Sequence, residues 1–213
     1  MPLYTTDALI LRTYKLGESD RIVVFLTRDR GKKRGVAKNA AQNRRRFGGA
    51  LEPLTHGRVG YFERERRELV SLNFVEPARS PLSALDGEAI GYVGYFAELI
   101  DEWAQEADPN ETLYRLGASM VDAMAIGVPI EPLARYFEYW LLRLQGVYEA
   151  DVRLSGAARE FLATARGISP FALGQVAVTG ETLRELEAAH RALIAMHLEK
   201  DLKSARVLRE MRR

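Results

Sequence analysis

The sequence predicts an α+β fold in which an N-terminal OB-fold-like β-barrel, residues 1–80, is followed by an all-α helical domain, residues 81–213. Three observations predict this arrangement. Short apolar runs rich in β-formers fill the first part, and apolar residues recur at three- and four-residue spacing in the second. The balance of charge also changes sign between the two parts, which suggests two modules with different partners.

Five segments of the first part have the composition of β-strands bounded by turn residues. They are ALILR (8–12), RIVVFLT (21–27), KKRGVAK (32–38), HGRVGYFER (56–64) and ELVSLNFVE (68–76). Five short strands in so short a stretch favour a small closed barrel. The gap between the third and fourth strands can hold one helical turn, as an OB-fold does at this point.

The pattern becomes helical after PARSPLSALDG (77–87), where two prolines end the strands. Helices are predicted over about 89–103, 111–126, 133–144 and 156–165, with one long helix or two between 181 and 213. The segment ISPFALGQVAVTG (168–180) is predicted to be a loop. We expect these helices to pack as a bundle against the barrel.

Charge and composition restrict the class of protein. The net charge of +2 combines 17 Lys and Arg against nine Asp and Glu in residues 1–80 with 14 against 20 in residues 81–213. No cysteine is present, which excludes disulfides and thiolate metal sites. The first residues lack a signal-peptide pattern, and no apolar run approaches the roughly 20 residues of a membrane helix. We expect a soluble, cytoplasmic protein.

The sequence offers little that could carry catalysis. Gly31-Lys32-Lys33 resembles part of a phosphate-binding loop, but no Ser or Thr follows and the upstream spacing is wrong. His190 and His197 share one helical face without a nearby cluster of carboxylates, so core positions are favoured over metal ligation. We expect no catalytic residues, no metal and no cofactor.

One segment has a single sign of charge. Eight basic residues and no acidic residue lie between positions 30 and 46: Arg30, Lys32, Lys33, Arg34, Lys38, Arg44, Arg45 and Arg46. A solvated surface would normally mix both signs. Aromatic residues occur nearby at Tyr14, Phe47, Tyr61 and Phe62, and binders of single strands combine a basic groove with aromatic faces. We predict that these eight bases contact DNA along one side of the barrel.

The residues that carry a family resemblance include the same segment. LGESD (16–20), LTRDRG (26–31), VAK (36–38) and RFGGALEP (46–53) together resemble the N-terminal domain of the bacterial DNA repair protein family RecO. The closing LEKDLKSARVLREM (198–211) is similar to the end of the family's last helix. The resemblance implies an OB-fold, a helical domain and a non-enzymatic recombination mediator of the RecF-type pathway.

The resemblance also implies the partners. Such proteins bind single- and double-stranded DNA, anneal complementary strands, contact the acidic C-terminal tail of single-strand binding protein (SSB) and, with RecR, assist RecA loading. Many members carry a four-cysteine zinc module after the third helix, which the cysteine-free QGVYEADVRLSG (145–156) does not match. Bases that could edge a pocket for the SSB tail, or serve only in solvated or intramolecular ion pairs, are Arg135, Arg143, Arg153 and Arg159.

Two other functions fit the residues. An OB-type barrel also serves RNA, so an RNA-binding module is one alternative. A protein-interaction scaffold is the other, because the basic barrel could bind an acidic protein surface. The segment 81–125, with nine acidic residues against Arg115, could itself be that partner within the chain.

Overall fold

The computed structural model describes residues 2–64, 67–83, 87–148 and 153–211, apart from the side chains at positions 44, 45, 83, 87 and 88. Part of the predicted turn between the last two strands (65–66), part of the predicted connection to the helices (84–86) and part of the cysteine-free insert (149–152) lie outside the described residues. The side chains of Arg44 and Arg45 therefore also lie outside this description.

Five strands form a closed barrel in the order β1-β2-β3-β5-β4. The strands are β1 (Leu3–Leu16), β2 (Asp20–Thr27), β3 (Lys32–Ala37), β4 (His56–Phe62) and β5 (Val70–Arg79). All neighbours are antiparallel except β3 and β5, which run parallel, and the β1–β4 pairing closes the barrel. The short helix α1 (Arg44–Phe47) lies between β3 and β4. This confirms the predicted fold class. The first strand, however, is longer than the apolar segment 8–12 from which it was predicted.

The second strand is buried on both faces, and this explains its continuous apolar sequence. Val23 and Phe25 point into the barrel and join its internal core. Val24 and Leu26 alternate with them, point outward and belong to the core of the helices. Because the helices cover this part of the sheet, its outer face does not carry the polar residues of a half-exposed strand.

Six further α-helices follow within the described residues: α2 (Gly87–Trp103), α3 (Glu111–Ala125), α4 (Ile130–Leu144), α5 (Gly156–Gly167), α6 (Gly180–Leu198) and α7 (Lys203–Met211). Short 3₁₀ turns occupy Pro81–Ser83 and Pro170–Gln175. Three helices begin at side-chain caps, Asn110 for α3, Ser155 for α5 and Thr179 for α6, each of which accepts a hydrogen bond from a backbone N–H of the first turn. In the part of the chain that the structure describes, no helix is long and apolar enough to cross a membrane.

The opposite charges of the two parts meet at their interface. The Arg12 guanidinium lies 2.8 Å from Asp101 of α2, and the Lys32 ammonium lies 3.0 Å from the same carboxylate. Arg79, at the end of β5, lies 2.9 Å from Asp122 of α3. The acidic segment 81–125 is thus an intramolecular partner of several barrel bases, as one of the alternatives from the sequence suggested.

Candidate nucleic-acid interface

The six bases of the run whose side chains the structure describes do not all lie along one side of the barrel, so for them that part of the sequence prediction is wrong. Lys32 faces α2, where its ammonium donates to the Asp101 carbonyl oxygen at 2.6 Å as well as to the carboxylate. Lys33 alternates to the inner side and lies 2.7 Å from Glu63. Their side chains are only 14% and 13% exposed, so both are held in ion pairs within the fold.

Two further bases of the run have structural contacts. The Arg46 guanidinium donates to the Asn73 carbonyl oxygen at 2.6 Å and lies 4.9 Å from the ring centre of Phe47. The hydrogen bond to Asn73 connects α1 with β5. Arg30, in the turn between β2 and β3, lies 4.0 Å above the ring of Tyr4 at the far end of the barrel.

The remaining described bases of the run are both exposed, Arg34 on the outer side of β3 and Lys38 in the turn that follows the end of β3 at Ala37. Strand alternation places Arg34 on the same face as Val36, while Gly35 and Ala37 point inward. Neither Arg34 nor Lys38 forms an ion pair with a described carboxylate. They are therefore the members of the run best placed to meet phosphate.

A groove of about 510 Å³ lies beside Lys38, where β3 and β5 run parallel. The β4–β5 loop forms its other wall. Its lining residues are Val36, Lys38, Arg64, Arg67, Glu68, Leu69, Val70 and Ser71. The basic run predicted from the sequence ends at Arg46 and did not include Arg64, at the end of a predicted strand, or Arg67. The signal was available, because OB-folds bind oligonucleotides on the face of strands 2 and 3 and with the loop between strands 4 and 5.

The four aromatic residues of the sequence pattern have different environments. Tyr61 and Phe47 belong to the barrel core, and burial raises the pKa of Tyr61 to about 12. Phe62 is partly buried. Tyr14 remains 47% exposed on the outer face of β1. Tyr14 is therefore the most exposed of the four and the one best placed to meet a base.

Arg12 fixes the strand next to Tyr14. Its guanidinium lies between Asp101 at 2.8 Å and the carboxylates of Glu98 and Glu102, both at 3.5 Å. Burial opposes the charged form, but Asp101 and the Tyr14 hydroxyl together raise the pKa of Arg12 above its ordinary value. Arg12 is thus a positioning residue rather than a free phosphate ligand.

A second candidate site lies in the helical part. A small cavity of about 40 Å³ opens between α4, α6 and the segment that begins α7. Its apolar side includes Leu202, Ala205 and Leu208, and its charged lining consists of the bases Arg135, Arg191, Lys200 and Arg209 with the acids Glu138, Glu187 and Asp201. Arg135 and Lys200 already lie in ion pairs within the fold, so Arg191 and Arg209 are the lining bases for which no ion pair is described.

Arg135 is held at this cavity by a buried network. Its guanidinium lies 2.9 Å from Glu138, which also accepts from the Tyr95 hydroxyl at 2.8 Å and lies 3.0 Å from Nδ1 of His190. Burial and the neighbouring carboxylate raise the pKa of Tyr95 well above its ordinary value. For Arg135, burial acts against the charge while Glu138 raises its pKa.

The other three arginines proposed for a peptide pocket lie elsewhere. Arg143 is exposed on α4, where it donates to the Tyr139 hydroxyl at 2.9 Å. Arg153 and Arg159 are exposed before and within α5. Of the four candidates, Arg135 is the one that lines the cavity. Arg191, Lys200 and Arg209 could not be predicted from the sequence, because only the fold brings α6 beside α4 and α7 beside α2 around this cavity.

Comparison with known proteins assigns the chain to a family. Residues 1–81 match the model described as "Recombination protein O N terminal", and residues 84–150 match "Recombination protein O C terminal". The chain belongs to the RecO family. The first match contains the whole barrel with the basic run, and the second contains α2 to α4 with Arg135.

Curated relatives in the RecO family agree with this assignment. A DNA repair protein RecO from Koribacter versatilis is 43% identical over 145 residues, which cover 68% of this chain and 59% of the relative. One from Anaeromyxobacter sp. strain K is 39% identical over 153 residues, covering 71% and 59%. The protein from Geobacter metallireducens is 38% identical over 142 residues, covering 66% and 57%. The chain thus spans less than two thirds of these relatives, whose printed names place them in DNA repair.

Proposed function

We propose that this RecO-family chain is a non-enzymatic, DNA-binding recombination mediator that acts in the bacterial cytoplasm, at the nucleoid. It binds single- and double-stranded DNA, anneals complementary strands and, with RecR, assists RecA loading on SSB-coated DNA. The observation that carries the proposal is the exposed pair Arg34 and Lys38, of which Lys38 lines a groove whose other wall includes Arg67. Family membership supports the pathway and its partners.

The proposed mechanism is electrostatic. Bases on the outer face of β3, in the turn that follows it and on the β4–β5 loop neutralise phosphates and release bound counterions. Two strands held in this way repel each other less, so complementary sequences pair faster. Because Lys32, Lys33 and Arg46 are held by contacts within the fold, we do not include them among the phosphate ligands, although they remain untested.

DNA binding can be tested by replacing Arg34, Lys38 and Arg67 with glutamine in one variant. Each phosphate contact contributes about 0.7 to the log–log salt slope for a single strand, so the triple variant should lose about 2 from the magnitude of the slope. Binding is measured by fluorescence titration of a labelled oligonucleotide at several salt concentrations. Arg58→Gln is the matched control, because Arg58 is exposed on β4 and lies 2.7 Å from Glu76.

Three outcomes are informative. An unchanged salt slope in the triple variant would exclude this face as the phosphate site. Tighter binding to RNA than to DNA of equal length would favour the RNA-binding alternative. Capture of an acidic protein with no oligonucleotide binding would favour the scaffold, although Asp101 and Asp122 already occupy some barrel bases within the chain.

We propose the cavity beside Arg135 as the site for the acidic C-terminal tail of SSB. Its apolar wall suits the tail's apolar end, while Arg191 and Arg209 on its lining can pair with carboxylates. Replacing Arg191 and Arg209 with glutamate should abolish binding of a fluorescent tail peptide in an anisotropy titration. The control is Arg166→Glu, an exposed position on α5. Equal peptide affinity of the cavity variant and the control would exclude this cavity.

A further inference from the structure

A row of uncharged side chains crosses the outer face of three strands. Strand register places Tyr14 of β1 opposite Ile22 of β2, and Ile22 opposite Val36 of β3. Ser71 of β5 continues the row beyond Val36. At an interstrand spacing of about 4.8 Å, the row from β1 to β5 is roughly 15 Å long. We call Tyr14, Ile22 and Val36 the outer strip.

The helices do not cover the outer strip. Farther along the same face, Leu11, Val24 and Leu26 are buried in the core that the barrel shares with the helices. By contrast, Tyr14 is 47% exposed and Leu16, two residues beyond it, is 39% exposed. The part of this barrel face that packs against the helices therefore has a structural role. The outer strip lies beyond it and exposes apolar surface to solvent.

Positive charge borders the strip. Arg34 precedes Val36 by two residues on β3, so both point to the same side of the strand. Lys38, in the turn after β3, is exposed and lines a groove together with Val36. Asp20, near the strip on β2, has one carboxylate oxygen engaged by the backbone N–H of Asn39 at 2.8 Å. The surface thus combines an exposed aromatic ring and aliphatic groups with bases on one edge.

This combination matches an unpaired nucleic-acid strand. Such a strand presents flat apolar base faces together with phosphates, whereas a duplex keeps its base faces stacked inside. We infer that the outer strip binds the bases of single-stranded DNA, with Tyr14 stacking on a base while Arg34 and Lys38 pair with the flanking phosphates. The inference rests on the proposed DNA-binding function and adds selectivity for the unpaired strand.

The position of Tyr14 is suited to this role. The neighbouring Arg12 is held by Asp101 at 2.8 Å, which anchors β1 to α2 close to the ring. A ring on an anchored strand loses little conformational freedom when a base stacks on it. Duplex DNA can still use Arg34 and Lys38, because phosphate contacts do not require an exposed base.

The test compares Tyr14→Ala with Tyr14→Phe, in the full chain, on an oligo(dT) strand and on a duplex with the same number of phosphates. Loss of one base stack should weaken single-strand binding roughly 5- to 150-fold. We expect duplex affinity to change less than about twofold, because its binding depends on phosphate contacts. Tyr14→Phe should retain single-strand affinity, since the ring remains. Phe171→Ala is the matched control, because Phe171 is 46% exposed but lies in the helical part.

Tyr14→Leu provides a second variant that keeps an apolar side chain without a ring, in case the alanine variant fails to fold. Single-strand affinity of Tyr14→Leu equal to that of Tyr14→Phe would overturn the inference, as would an equal loss on both DNA forms. Failure of the proposed function looks different, because the triple charge variant would then leave both DNA forms bound with an unchanged salt slope. Selective loss in the ring-less variants supports the inference.

Discussion

Replacing Glu138 with alanine removes an acceptor that several buried groups share. Its carboxylate receives the Tyr95 hydroxyl at 2.8 Å and the Arg135 guanidinium at 2.9 Å, and it lies 3.0 Å from Nδ1 of His190. The side chains of Glu138 and Arg135 are only 2% and 3% exposed. Water therefore cannot replace the lost carboxylate, and Arg135 would lose its closest buried counter-charge.

The expected loss of stability follows from that burial. Breaking a buried ion pair by removing one partner costs about 3–5 kcal/mol, since the other charge is left uncompensated. For a chain of this length, each kcal/mol lowers the melting temperature by about 2–4 °C, so Glu138→Ala should lower it by roughly 6–20 °C. Differential scanning fluorimetry at neutral pH measures this directly.

A control and a rescue make the test sharper. Glu160→Ala removes an exposed carboxylate from α5 and should change stability by less than about 0.5 kcal/mol. The double replacement Arg135→Met with Glu138→Leu removes both buried charges and should recover part of the loss, because the ion it leaves, Glu187 at 3.6 Å from Arg135, is 25% exposed. A difference of 2 °C in melting temperature corresponds to a free energy of about 0.5–1 kcal/mol. If Glu138→Ala melts within 2 °C of the control, the buried carboxylate does not stabilise the fold as argued.

Two further predictions concern the junction between barrel and helices. Glu98 caps α7 by accepting hydrogen bonds from Ser204, and despite opposing burial these bonds lower its pKa below the ordinary value. A carboxylate with a lowered pKa in the folded state stabilises above its unfolded-state pKa and loses this effect as pH falls. Glu98→Gln should therefore be destabilising at pH 7 in thermal melts, and its cost should shrink as the pH falls below about 4.3, the ordinary pKa of Glu; a cost that stays constant across this range would contradict this. Gly31→Ala should cost at least about 2 kcal/mol in urea unfolding, because Gly31 has a φ of 69° and a Cβ would lie 2.4 Å from the Asp108 nitrogen. Gly17→Ala, with a φ of 63° and open space around it, should cost only the backbone part, and equal losses would rule out the clash.

Much of the fold could be predicted from local sequence. Apolar periodicity predicted where the strands and helices lie. The apolar run 21–27 corresponds to β2, and the helix predicted over 111–126 corresponds to α3, which begins at Glu111. Periodicity is a local property, since it depends on which side of one strand or helix is buried. Family membership was likewise predicted from local motifs, and the comparisons confirm it.

The candidate DNA site could be predicted only in part. Counting charges identified Arg34 and Lys38 but gave Lys32 and Lys33 equal weight, although adjacent residues on a strand point to opposite faces. The positions of Asp101 and Glu63, which engage those two lysines, depend on contacts distant in sequence. Arg67 could not be predicted for the same reason, because it depends on a contact distant in sequence. The parallel pairing of β3 with β5 brings the β4–β5 loop next to β3.

Composition and periodicity are enough to predict that a basic barrel precedes an acidic helical part, because neither requires knowledge of long-range contacts. Which charges face solvent depends instead on how distant segments pack. Ion pairs across the interface engage Arg12 and Lys32, while Arg34 on β3, Tyr14 on β1 and Lys38 in the turn after β3 remain exposed. A charge engaged by a neighbouring carboxylate is less available to phosphate, and packing between distant segments determines which charges have such neighbours.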